Sequence, residues 1–166
     1  KLIKSTGAKY IIIGHSENRY KGESDLIINK KIRSTLNENL KVIFCIGEKF
    51  SDRRKKNTYQ VLKKQINNGL KNVKKLNNII IAYEPVWSIG TGLVPQNLEL
   101  TKNIKSIKKI LIKIKKSINP KILYGGSVSP KNVKELAKIK EINGFLVGGA
   151  SLSAKKFIDI IKKSIN

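Results

Sequence analysis

The chain has 166 residues, 40% of them hydrophobic, and a formal net charge of +24. No apolar run reaches the ~20 residues that a membrane span needs, and no signal peptide is readable at the start, so no membrane partner is expected. Cys45 is the only cysteine, which excludes an intrachain disulfide. In chain order, the first strand is read over Tyr10–Ile13 and is followed by Gly14-His15-Ser16-Glu17. A helix is predicted over Asp25–Leu40, then a strand over Val42–Ile46 that ends in Cys45-Ile46-Gly47-Glu48. An amphipathic stretch from about Thr58 to Leu76 turns Leu62, Ile66, Leu70 and Val73 inward. The third strand, Ile79–Tyr83, runs into Glu84-Pro85. The clearest helical stripe follows, with Leu100, Ile104, Ile107, Leu111, Ile114 and Ile118 on one face and lysines on the other. A strand over Ile122–Tyr124, a helix over Pro130–Ile139, a strand over Phe145–Val147 and a helix over Ala154–Ile165 complete the series.

Short apolar strands alternating with amphipathic helices predict a parallel α/β fold. No linker separates a second domain, so residues 1–166 read as a single domain. Five β–α units are too few for an eight-stranded barrel. An open doubly wound sheet fits the count, whereas the motifs at the strand ends favour the barrel. Methionine is absent, even at position 1, so the chain reads as a piece of something longer.

The charge invites a nucleic-acid reading. Yet 31 of the 35 basic residues are lysine, and readers of phosphate and bases favour arginine for its bidentate fork. Abundant Lys, Ile and Asn fit drift towards A/T-rich codons. A solvated lysine-rich surface is therefore favoured over a specific nucleic-acid site, with weak nonspecific polyanion binding at low salt.

The chemistry gathers at the carboxyl ends of the strands, where parallel α/β folds place their ligands. Pro85 biases Glu84 towards an extended backbone and so fixes its carboxylate. Gly90 and Gly92 loosen the far half of the same loop, Pro85-Val86-Trp87-Ser88-Ile89-Gly90-Thr91-Gly92, which reads as a base under a hinged flap. His15 is the only histidine. A helix opening just after it favours the neutral imidazole, which can donate a hydrogen bond to a carbonyl. A lone loop histidine is more often structural, but pairing with the Glu84 segment reverses that preference. Glycines in Tyr124-Gly125-Gly126-Ser127-Val128 and in Leu146-Val147-Gly148-Gly149-Ala150-Ser151 let backbone N–H groups approach an anion. The rival reading of these two turns is tight chain reversal without a ligand. Glu48 reads as structural, orienting neighbouring groups, and Cys45 as a small buried hydrophobe.

Gly7-Ala8-Lys9-Tyr10-Ile11-Ile12-Ile13-Gly14-His15-Ser16-Glu17, Cys45–Glu48, Ala82-Tyr83-Glu84-Pro85-Val86-Trp87, Tyr124–Val128 and Gly144–Leu152, in this order, resemble the triosephosphate isomerase family across essentially the whole chain. The resemblance implies a (β/α)8 TIM barrel, incomplete here, with strands 4–8 and their helices present and three N-terminal β–α units missing. It implies interconversion of dihydroxyacetone phosphate and glyceraldehyde 3-phosphate in glycolysis, gluconeogenesis and pentose phosphate metabolism, with no cofactor and no metal. By the same resemblance Glu84 is the proton acceptor and His15 the electrophile, with Glu17 supporting. Gly90, Ser127, Gly148 and Gly149 hold the substrate phosphate, and Pro85–Gly92 is the lid. A cytoplasmic homodimer is implied for the full-length protein, and little or no activity for the piece alone, because the family's active-site lysine and asparagine lie in the missing part. Asn18 stands where the family commonly has Arg, Arg19–Glu23 is one residue short, and Leu93-Val94-Pro95 is shorter than usual. Two rivals are another phosphate-binding barrel enzyme and a non-enzymatic basic polyanion-binding protein.

Overall fold

A computed structural model describes residues 2–116 and 119–165. Among these, five parallel strands form one sheet: β1 (Tyr10–Ile13), β2 (Lys41–Ile46), β3 (Ile79–Tyr83), β4 (Ile122–Tyr124) and β5 (Gly144–Phe145). They hydrogen-bond in the order β1-β2-β3-β4-β5, each to its neighbour in sequence. A doubly wound sheet reverses its order at a switch point. This sheet never reverses, so it is wound in one direction, as the wall of a barrel is. The choice left open by the strand count falls to the incomplete α/β barrel.

The helices are α1 (Leu2–Ser5), α2 (Ser16–Tyr20), α3 (Asp25–Asn37), α4 (Phe50–Arg54), α5 (Thr58–Gly69), α6 (Asn97–Ile114), α7 (Val133–Ala137) and α8 (Ala154–Ile165). The predicted stripe on α6 is realised except at its end: Ile114, the last residue of the helix, is 40% exposed, whereas Leu100, Ile104, Ile107 and Leu111 are buried. Each such side chain contributes about 1.5–3 kcal/mol of apolar transfer. Ile118, assigned to the same stripe, lies outside the described residues.

Several elements end earlier than their periodicity predicts, each for a local reason. α3 stops at Asn37 rather than Leu40 because Asn39 takes a left-handed φ of 58° and the Leu40 N–H donates back to Thr35 O at 3.2 Å. α5 stops at Gly69 rather than near Leu76, and Asn72 just beyond takes φ 59°. α7 begins at Val133 rather than Pro130, because the Asn132 side chain occupies the preceding turn. Its Oδ1 accepts the Ser129 N–H at 2.8 Å and its Nδ2 donates to Ser127 O at 3.0 Å. β5 covers Gly144–Phe145 instead of Phe145–Val147, although the Leu146 N–H still donates to Tyr124 O at 2.9 Å. The short helices α1 and α4 carry no apolar period long enough to be read.

The strands were expected to be buried on both faces. That holds for the middle of the sheet and fails at β1, where Tyr10 is 43% and Ile12 49% exposed. Among the described residues β1 pairs only with β2, and β5 only with β4, so both are sheet edges. No described helix is long and apolar enough to cross a membrane.

Candidate active site

Glu84 follows β3 directly and is 3% exposed. Its N–H donates to Ile46 O at 2.8 Å, which carries the strand pairing one residue past β3. Two glycines let the chain close around it. A Cβ on Gly47 would stand 1.7 Å from the Glu84 carbonyl oxygen, and one on Gly125 would stand 2.8 Å from Glu84 Cγ. Any side chain at either position displaces the acid. Burial pushes the Glu84 carboxyl above the usual carboxylate range, opposed by the field of His15, a hydrogen bond from Cys45 and one from the Ser16 backbone. Cys45 is fully buried behind it, and burial pushes its thiol far up, so it stays protonated.

His15 is the N-cap of α2. Its Nδ1 accepts the Glu17 N–H at 3.4 Å, which leaves the proton of the neutral ring on Nε2. Nε2 lies 3.5 Å from Glu84 Oε1. Glu17 thus meets His15 through its backbone, while its own side chain is exposed. The turn beneath His15 is braced by Arg19, which sequence reasoning passed over. Nε donates to Gly14 O at 2.8 Å, Nη1 pairs with Asp25 at 2.7 Å and Nη2 donates to Cys45 O at 3.3 Å.

The flap begins with a single 3-10 turn, Val86–Ser88. Trp87 is gripped from two directions: Nε1 donates to Glu48 Oε1 at 2.9 Å, and Arg53 stacks over the indole at 4.4 Å. Glu99 holds Arg53 by two hydrogen bonds, at 2.8 and 2.9 Å, and that cation lowers the Glu99 carboxyl. Glu48 has 0% exposure and also accepts from Tyr83 OH at 3.1 Å. Burial raises its carboxyl, and with Tyr83 and Trp87 it forms a polar cluster that does not line the cavity shared by His15 and Glu84. Further along, Ser88 is fully buried. Its Oγ donates to Leu93 O at 2.5 Å and lies 3.0 Å from Tyr124 OH, a phenol pushed up to about 12 by burial.

The flap is tied to the turn after β4. Ser127 Oγ donates to Ser88 O at 2.6 Å and accepts the Gly92 N–H at 3.0 Å. The Ser127 N–H donates to Ser88 Oγ across 3.3 Å. Gly90 and Gly92 adopt φ of +70° and +77°, a backbone that favours glycine, with no atom within 4 Å of where a side chain would start. Gly148 and Gly149 lie beyond β5, exposed, with no atom within 4 Å of where a side chain would start.

His15 and Glu84 line one cavity of about 400 Å³. Gly90, Ser127, Gly148 and Gly149 line it as well. Glu17 and the flap residues Pro85, Val86, Trp87, Ser88 and Thr91 do not line it. Gly125 and Gly126 do, and the motif Tyr124-Gly125-Gly126-Ser127 contained the signal for them, because two glycines after a buried strand allow close backbone approach. Among the described residues no three His, Cys, Asp or Glu side chains gather as a metal centre requires.

Residues 1–164 match the triosephosphate isomerase family model. Triosephosphate isomerase of Thermodesulfovibrio yellowstonii is 48% identical over 164 residues, spanning 97% of this chain and 67% of that protein. Those of Fusobacterium nucleatum and Geotalea uraniireducens are 44% and 43% identical, each over 98% of this chain and 67% of its own length. This chain therefore spans about two thirds of the curated relatives it matches, and it belongs to the triosephosphate isomerase family, the aldose–ketose isomerases of glycolysis.

Proposed function

We propose that residues 1–166 form one domain that makes up the last five of eight β–α units and carries the base, the carbonyl-polarising group and most of the phosphate site of a triosephosphate isomerase. The observation that carries this reading is the 3.5 Å approach of His15 Nε2 to Glu84 Oε1 in the cavity that Ser127, Gly148 and Gly149 also line. Glu84, as carboxylate, takes a proton from the carbon beside the substrate carbonyl. The electron pair left behind forms the enediolate, and the same carboxyl returns the proton to the neighbouring carbon. His15 donates its Nε2–H to the carbonyl oxygen and moves protons between the two oxygens. Burial supports the base role, because water that stabilises the carboxylate is removed and its basicity rises.

Backbone N–H groups of Gly90, Ser127, Gly148 and Gly149 bind the phosphate of the triose. Pro85–Gly92 closes over the intermediate and excludes water. Glu17 supports His15 through the backbone contact to Nδ1. No cofactor or metal takes part. The complete protein is a cytoplasmic homodimer, and the five-unit piece alone turns over little or no substrate. Full-length protein carrying Glu84→Asp tests the assignment. The carboxylate retreats by about one bond, and kcat falls roughly a hundredfold if Glu84 is the base. An unchanged kcat removes it from that role.

A further inference from the structure

Glu84 rests on the turn after β2, and that turn is fixed by a helix residue with no place yet in the chemistry. The Glu84 N–H donates to Ile46 O at 2.8 Å and the Val86 N–H donates to Glu48 O at 3.0 Å. Between these two bonds lies Gly47, where a Cβ would stand 1.7 Å from Glu84 O and 2.5 Å from Glu84 C. The two peptides are in contact without slack, so a shift of Gly47 moves the base.

A strand-end turn is free to shift unless something holds it. Gln65, on α5, holds this one at both of its polar groups. Its Oε1 accepts the Gly47 N–H at 2.9 Å, and its Nε2 donates to Gly47 O at 3.0 Å. One planar amide thus takes both backbone groups of one residue, which fixes its orientation as well as its position. α5 is in turn seated closely on β2. At Gly69 a Cβ would stand 2.4 Å from the Phe44 ring, so the helix approaches the sheet as only glycine permits.

We propose that Gln65 is a positioning residue for the catalytic base. It locks Gly47, and Gly47 sets where the Glu84 backbone lies. Gln65 does not line the cavity and has no part in binding substrate. The inference rests on the reading of Glu84 as the base.

The test uses the full-length isomerase carrying this segment, with Gln65→Met and Gln65→Glu. Methionine keeps the length of the side chain and loses both bonds. The expected result is a fall in kcat of about ten- to a hundredfold, as for a misplaced catalytic group. KM stays within about twofold, because the phosphate turns are untouched. Glutamate keeps the acceptor for the Gly47 N–H but sets a second oxygen against Gly47 O. Protonating that carboxyl restores the donor, so kcat relative to wild type at the same pH recovers as pH falls. The proposal is overturned if folded Gln65→Met keeps wild-type kcat, or raises KM alone, or if the Gln65→Glu ratio is flat with pH. If Gln65→Met does not fold, the Gln65→Glu profile decides by itself. A slow Glu84→Asp beside a fast Gln65→Met sinks only this inference, whereas a fast Glu84→Asp sinks the base assignment beneath it.

Discussion

Glu84 at the end of β3 is touched by backbone on both sides, whereas Gly148 and Gly149 after β5 have nothing within 4 Å of where a side chain would begin. The strands explain the contrast. Among the described residues β3 pairs on both sides, with β2 and β4, while β5 pairs only with β4 and β1 only with β2. The centre of the sheet holds the group proposed as the base, at the cost of desolvating a carboxylate. The edges carry the groups proposed to act through backbone donors or a capped ring.

Glycine-to-alanine changes in the full-length protein break this comparison most sharply. Gly47→Ala forces a Cβ onto the Glu84 carbonyl. The account expects a loss of about 3 kcal/mol of stability, at the high end for overpacking. It also expects about a hundredfold loss in kcat from displacement of the base. Unfolding curves together with initial rates measure both, and a fully active Gly47→Ala enzyme would show that the contact is soft.

A smaller effect, with its sign fixed by burial, comes from removing the buried charge. The Glu84 carboxyl lies above its ordinary value in the folded state, so the folded protein binds that proton more tightly than the unfolded chain does. The stabilisation from this proton is full below the ordinary glutamate value and is lost as pH rises through the folded one. At neutral pH the ionised Glu84 therefore weakens the fold. Glu84→Gln is expected to raise the melting temperature by a few degrees at neutral pH, about 1 kcal/mol on the usual scale. The gain disappears by about pH 3, where the carboxyl is protonated in either state. Equal gains at both pH values would assign the effect to packing instead of charge.

The edge supplies the smallest effect. Gly149→Ala adds a methyl group into open space, so stability stays within about 0.5 kcal/mol. Any kinetic change is expected in KM, because this turn is proposed to bind the phosphate. A loss as large as that of Gly47→Ala would erase the distinction between centre and edge.

Much of this was legible in the sequence because the signals were local. Ile79–Tyr83 ends in Glu84-Pro85, and a buried strand followed by acid and proline states where the carboxylate sits. His15 and the two Gly-Gly turns were legible for the same reason, each lying directly after an apolar strand. What could not be read was long-range. Gln65 finds Gly47 across 18 positions, Arg19 reaches Cys45 across 26, and Trp87 reaches Glu48 across 39. No periodicity encodes such pairs. Helix ends were misread where Asn39 and Asn72 take left-handed backbone, a choice that asparagine allows without announcing it.

The central claim is that Glu84 removes the proton beside the carbonyl. Its most direct test is the uptake of solvent deuterium by dihydroxyacetone phosphate, followed by NMR, with full-length wild-type and Glu84→Gln protein. The account predicts rapid labelling of that carbon by wild type, and labelling slower by about 10³–10⁴-fold in the variant, the upper range for a general base. Labelling by Glu84→Gln at the wild-type rate would contradict it.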